Sequence, residues 1–223
     1  MCGRYTLRTI DLHRIGPDVL PFLPSYEEFD EKRIVPRFNI APSQDVPMIF
    51  VRDAKAVLDM ASWGFVPFWT KGKPKTKPIN ARSETVATSG MFRSAFKSSR
   101  CLLPADGFYE WKAGTPKQPY YFHRPDSQMF AFAGLWSEHN GEKTALHLTT
   151  TPNAIVSAVH DRMPVILHEG DFEKWLDPEA TPEVLAGLLR PYPAKDLVSE
   201  PVSTRVNKPS VDDPDLVLPV RLD

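Results

Sequence analysis

A chain of 223 residues, 42% of them hydrophobic, can bury one sizeable core, so a single compact domain over residues 1–223 is expected. A net charge of -1 gives no global attraction to nucleic acid, and two cysteines, Cys2 and Cys101, exclude a disulfide framework or a four-cysteine zinc site. No apolar run reaches the roughly 18 residues of a membrane span or resembles a secretion signal, so the expectation is a cytoplasmic protein without membrane contact.

Twenty-three prolines argue for many short elements joined by rigid turns, and so for an α+β fold with mixed, mostly antiparallel sheets and peripheral helices. In chain order, apolar and β-branched runs predict strands over residues 46–50, 56–63, 100–112, 120–123, 129–136 and 145–150. Helical spacing is found at residues 83–98, with Ser83 as a candidate N-cap, and at 154–159, 171–175 and 181–189. In the last of these, Thr181, Pro182 and Glu183 form a cap followed by a first-turn proline. The acidic tail from residue 211 is expected to run over the surface.

Charge is unevenly spread. Between Thr70 and Tyr120 ten Lys and Arg residues face three acidic ones, which fits either a groove lined toward phosphates or, at the lysines of residues 71–77, a solvated loop. Just before that loop, W-G-F-V-P-F-W (residues 63–69) gathers aromatics. Trp63 reads as core, whereas Phe68 and Trp69 are the candidates for stacking on unpaired bases.

Cys2 follows the initiator methionine. Removal of Met1 would place an α-amine beside a thiol, and because such an amine has a pKa of roughly 7.7 to 8.0 it attacks aldehydes at physiological pH. The resulting Schiff base would be captured intramolecularly by the thiol as a five-membered thiazolidine. Cys2 reads equally as a small buried hydrophobe.

Three further segments offer chemistry. In P-I-N-A-R-S-E-T (residues 78–85), an extended backbone puts Asn80 and Arg82 on one face and Ala81 on the other. That pair suits orienting a sugar and neutralising a phosphate, or a plain loop end with a surface ion pair. In residues 100–112, alternation puts Glu110 beside Phe108 and opposite Tyr109 and Trp111, so partial desolvation would raise its pKa for proton transfer. In H-D-R-M-P-V-I-L, His160 and Arg162 precede a buried strand, and the histidine is either a proton shuttle or structural. No Cys/His cluster is present, so neither metal nor cofactor is expected.

Taken together, M-C-G-R, P-R-F-N-I-A-P, W-G-F-V-P-F-W, I-N-A-R-S-E-T, P-A-D-G-F-Y-E-W, Q-P-Y-Y-F, H-D-R-M-P-V-I-L and V-S-T-R-V-N, in that order, resemble the blocks of the SRAP family of abasic-site processing proteins. The resemblance implies sheets around a DNA-binding groove and a monomer that crosslinks through Cys2 to abasic sites in single-stranded DNA after releasing its own Met1. It further implies that Asn80 senses the sugar, Glu110 handles protons, His160 stabilises the opened sugar, and Arg4, Arg82 and Arg162 hold phosphates. Two alternatives stay open: a cysteine peptidase acting on other proteins, and a noncovalent module for single-stranded DNA. M-C-G also opens the N-terminal-nucleophile glutaminases, but their usual synthetase domain does not fit this length.

Overall fold

The computed structural model describes residues 2–8 and 34–222. Met1, whose release is expected, lies outside the described residues. Thirteen strands are described: β1 (Tyr5–Leu7), β2 (Arg37–Ile40), β3 (Asp45–Arg52), β4 (Lys55–Trp63), β5 (Asn80–Arg82), β6 (Arg100–Ala105), β7 (Gly107–Lys112), β8 (Gln118–His123), β9 (Phe130–His139), β10 (Glu142–Thr150), β11 (Met163–Pro164), β12 (Ile166–Leu167) and β13 (Val198–Pro201). Three short helices, α1 (Arg93–Ser98), α2 (Phe172–Leu176) and α3 (Pro182–Leu188), lie among them in the chain.

Two tight hairpins start the larger sheet. Asp53 and Ala54, both at positive φ, turn β3 into β4, and Asn140 with Gly141, also at positive φ, turns β9 into β10. The pairings β10–β4, β4–β3, β3–β6, β6–β9 and β9–β10 then close a five-stranded barrel. Its closing seam is short and parallel, because β10 meets β4 only at Thr144 and Ala145 before turning to pair with β5 at His147, Leu148 and Thr149.

The second sheet, in the order β13-β8-β7-β1-β2, is antiparallel, and the N-terminal strand is an inner one. Aromatic contacts weld the two sheets together. Phe108 stacks on Phe122 at 4.9 Å and meets Phe132 of the barrel at 6.4 Å, while Tyr5 packs edge-on against Trp63 and Phe132. Arg100 is buried and donates to the carbonyls of Phe96, Lys97, Trp175 and Asp177, which ties α1 and α2 to the barrel wall. It therefore contributes nothing to the surface charge counted from the sequence.

The fold class agrees with expectation, and several boundaries differ. The strand expected over residues 100–112 breaks at Asp106, which the buried carboxylate of that residue enforces by binding Thr6 and Arg8. Of the helix expected over residues 83–98 only α1 forms. Ser83 does not cap it, because α1 begins ten residues later, after Thr85 O has accepted from Thr88 and Ser89 N–H in successive turns. Residues 154–159 shorten to a 3-10 turn at Val156–Ala158, held by the Asn153 side chain, whereas Thr181 does cap α3. Nor is the tail wholly superficial: Leu216 is fully buried, and Val202 bridges to Pro219.

Gly107 shows how tightly β7 and β8 pack. A Cβ there would lie 2.1 Å from the Tyr121 hydroxyl, which is itself held by Thr6 Oγ1 at 2.9 Å. Gly107→Ala is expected to cost about 1–3 kcal/mol and lower the melting temperature by several degrees. Gly90→Ala, where an added Cβ meets nothing within 4 Å, should melt like the parent chain in the same calorimetric scan.

Candidate functional site

Four separate stretches of chain converge on the start of β1. Cys2 is fully buried, its carbonyl accepts a hydrogen bond from Asn80 Nδ2 at 3.0 Å, and its thiol points to Arg4 O at 3.6 Å. Burial and the adjacent Glu110 push the thiol well above its ordinary pKa, so it is a neutral S–H. Asn80 opens β5, where the two-residue alternation buries Ala81 between it and the exposed Arg82. The Asn80 Oδ1 atom is buried and has no partner among the described residues.

Glu110 arrives from β7. The same alternation sends Phe108 into the main core and Tyr109 and Trp111 into a smaller cluster with Val202, Val206 and Leu216, as the sequence pattern predicts. Glu110 is 2% exposed, and Oε1 has no partner among the described residues. Burial, reinforced by the charge of Asp161, raises its pKa to about 8, so the carboxyl is largely protonated near neutrality.

His160 completes the group from the loop before β11, with Nε2 3.9 Å from Glu110 Oε2. Its Nδ1 lies 3.0 Å from the Arg162 backbone N, 3.1 Å from Asp161 Oδ1 and 3.3 Å from Arg162 O, while Nε2 faces the carboxyl. Burial holds its pKa below the ordinary value, so the ring is mainly neutral near pH 7.

The cationic and aromatic candidates divide. Phe68 and Trp69 are 64% and 53% exposed, Trp63 is fully buried, and the Arg82 side chain is exposed with no partner among the described residues. Arg4 and Arg162, expected on phosphates, have partners within the protein. Arg4 donates to Asn39 Oδ1 at 2.9 Å and to Val206 O at 2.5 Å. Arg162 makes a two-pronged pair with Glu84 at 2.5 and 2.9 Å and also donates to Thr149 O. A phosphate would have to compete with these partners.

One residue near this site was not foreseen. His147 is fully buried between the rings of Trp63 and Phe132, is registered opposite Asn80 in the parallel β5–β10 pair, and has no partner for either ring nitrogen among the described residues. Burial lowers its pKa to about 3.

Against this geometry stand the relatives. The family model for SOS response associated peptidase (SRAP) matches residues 1–209. The chain belongs to the SRAP family. It is 38% identical over 226 residues to abasic site processing protein YoqW of Bacillus subtilis, covering 97% of this chain and 99% of that one. It is 31% identical over 230 residues to abasic site processing protein YedK of Escherichia coli, covering 99% and 100%. The crystal structure of a Bacteroides thetaiotaomicron protein superposes with a TM-score of 0.85 at 22% identity, covering 99% of this chain and all of that one. The fold is thus that of an SRAP domain, and in this chain Cys2 lies against the Asn80 amide and the protonated Glu110 carboxyl, with the neutral His160 ring beside that carboxyl.

These protonation states set a pH dependence of stability. Glu110 binds its proton more tightly folded than unfolded, so stability falls as pH rises from its ordinary pKa, 4.5, to about 8. His147 acts oppositely: its neutral folded form loses stability as pH falls from 6.5 toward 3, and His160 shares that sign. Between pH 6.5 and 8 Glu110 is the member of this group that still titrates. Chemical denaturation across that window should show stability falling by up to about 1.4 kcal/mol per pH unit, and Glu110→Gln should flatten the decline. An unchanged slope in the variant would reject the raised pKa.

Proposed function

We propose that this protein processes abasic sites by forming a covalent bond from Cys2 to the sugar aldehyde in single-stranded DNA, and that its first reaction is release of Met1. The observation that carries the reading is the convergence of Asn80, Glu110 and His160 on Cys2, with the Asn80 amide 3.0 Å from the Cys2 carbonyl and the buried carboxyl beside the thiol. Relatives named abasic site processing proteins, aligned over nearly their whole length, support the substrate class.

Hydrolysis of the peptide bond before Cys2 supplies the free amine. That amine adds to C1′ of the ring-opened sugar and gives a carbinolamine. The Glu110 carboxyl protonates the departing hydroxyl, which leaves as water and generates an iminium. Glu110, now a carboxylate, takes the thiol proton, and the sulfur adds to the iminium carbon while the electron pair returns to nitrogen. One water is lost overall, and Glu110 ends in its starting form.

A neutral buried thiol suits this order, because the amine acts first and sulfur is activated only when an electrophile lies beside it. His160 would donate from Nε2 to an oxygen of the opened sugar, and Asn80 would orient the terminus. Arg82 would take a flanking phosphate, and Phe68 and Trp69 would stack on neighbouring bases. The adduct shields the site from strand cleavage.

The deciding measurement is incubation of the processed protein with single-stranded DNA carrying one abasic site, read on a denaturing gel and by intact mass. A one-to-one adduct lighter than the sum by one water is expected, and Cys2→Ala should give none. Glu110→Gln should slow formation and reversal by roughly 100-fold or more while noncovalent affinity stays within a few-fold. Wild-type protein that binds such DNA without ever becoming linked to it would overturn the proposal in favour of a noncovalent module.

A further inference from the structure

The loop between β4 and β5 carries lysines at 71, 73, 75 and 77, and the sequence leaves open whether it faces phosphates or merely water. Its geometry points to a built surface. At its start Val66 N–H donates to Thr144 Oγ1 at 3.0 Å, and at its middle His139 Nε2 lies 2.9 Å from Thr70 O. At its end Phe65 N–H meets Pro78 O at 2.9 Å, and Gly64, at φ 147, lets Lys77 pack close, with the Lys77 Cβ only 3.3 Å from where a Cβ on residue 64 would stand. Pro67, Pro74 and Pro78 restrict what backbone freedom is left.

The pinned loop and the turn between β9 and β10 enclose a cavity of about 280 Å³, lined among others by Lys73, Lys77, His139, Asn140 and Glu142. Neither lysine is paired with a carboxylate among the described residues, although Glu142 lies in the same wall. Both lysines are exposed, and two such cations in the wall of one concave site suit an anion that is delivered from outside. Phe68 and Trp69, the two most exposed aromatic rings among the described residues, stand at the other end of the loop.

Distance along the chain limits where that anion can sit. Lys77 is three residues from Asn80, so their Cα atoms are at most about 11 Å apart even if extended. A strand carrying one phosphate per roughly 3.4 Å of axis in duplex form covers that span within about three nucleotides. We infer that Lys73 and Lys77 form a subsite for a backbone phosphate of the DNA flanking the abasic nucleotide, on the side of the strand that stacks against Phe68 and Trp69. This rests on the DNA-processing reading above. It adds a contact that fixes how the flanking strand leaves the site, and Glu142 reduces its strength.

The test uses the full chain and single-stranded oligonucleotides carrying a stable abasic analogue without an aldehyde, so that only reversible binding is read. Replacing both residues, Lys73→Gln and Lys77→Gln, should lower the salt dependence of log K by about 0.7, which at 0.1 M salt is a loss of affinity on the order of 5-fold. Glu142→Gln should tighten binding. Trimming each flank in turn to a single nucleotide should abolish the difference between wild type and double variant for one flank and leave it for the other. Inorganic phosphate alone, at millimolar concentration, should compete only weakly. A double variant with the wild-type salt slope on the long oligonucleotide, or a difference that survives trimming of both flanks, would overturn the subsite while leaving the Cys2 chemistry standing. Wild-type protein that binds none of these oligonucleotides would remove both.

Discussion

A buried carboxylate holds the N-terminal strand in place. Asp106 accepts hydrogen bonds from Thr6 Oγ1 at 2.5 Å and Arg8 N–H at 2.6 Å, and its own N–H returns a bond to Thr6 O at 3.0 Å. Chain termini fray unless tied down, and a fraying β1 would carry Cys2 away from every group described beside it. The same residue ends β6 and begins β7, so one side chain breaks a continuous apolar run and anchors the strand that bears the reactive residue. Glu110 follows four residues later on β7, the strand that pairs with β1. The position of the carboxyl relative to Cys2 is therefore fixed by the β1–β7 pairing rather than by a flexible loop.

The environment so created is dry and largely uncharged. Cys2, Glu110, His147 and His160 are each displaced toward their neutral forms, mainly by burial. Three arginines stand two residues from members of this site, and they differ. Arg4 and Arg162 are bound by partners inside the protein, whereas Arg82 is exposed, as are the lysines of residues 71–77. Fixed positive charge is thereby kept apart from the buried groups, whose neutral forms a low-dielectric setting favours.

Much of this was readable from residue order where a local period decides orientation. Alternation along residues 107–112 placed Glu110 with Phe108 and against Tyr109, and alternation along 80–82 placed Ala81 opposite its neighbours. Trp63 against Phe68 and Trp69 separated correctly because proline and glycine punctuate that segment. What stayed hidden depends on partners far away in the chain. Nothing local tells that Arg4 meets Asn39 and Val206, or that Arg162 meets Glu84, so both looked available. His147 was missed because β10 is buried on both faces from Thr144 to Thr150, which erases the alternation that marks a polar residue as unusual. Across residues 83–92 successive turns replace the expected helix: Ser83 N–H is taken by Thr149 O at the end of the β5–β10 pairing, and the donors of Thr85, Thr88, Ser89 and Phe92 close local turns on Arg82, Thr85 and Ser89.

The bond from Arg4 to Val206 spans almost the entire polypeptide, and β1, which meets β2 early, finds its other neighbour β7 only about a hundred positions downstream. During synthesis Cys2 is among the first residues to leave the ribosome, whereas Asn80 and Glu110 follow before the midpoint of translation and His160 and Val206 only after it. Every incomplete chain therefore carries the cysteine without the full set of groups that enclose it in the finished fold.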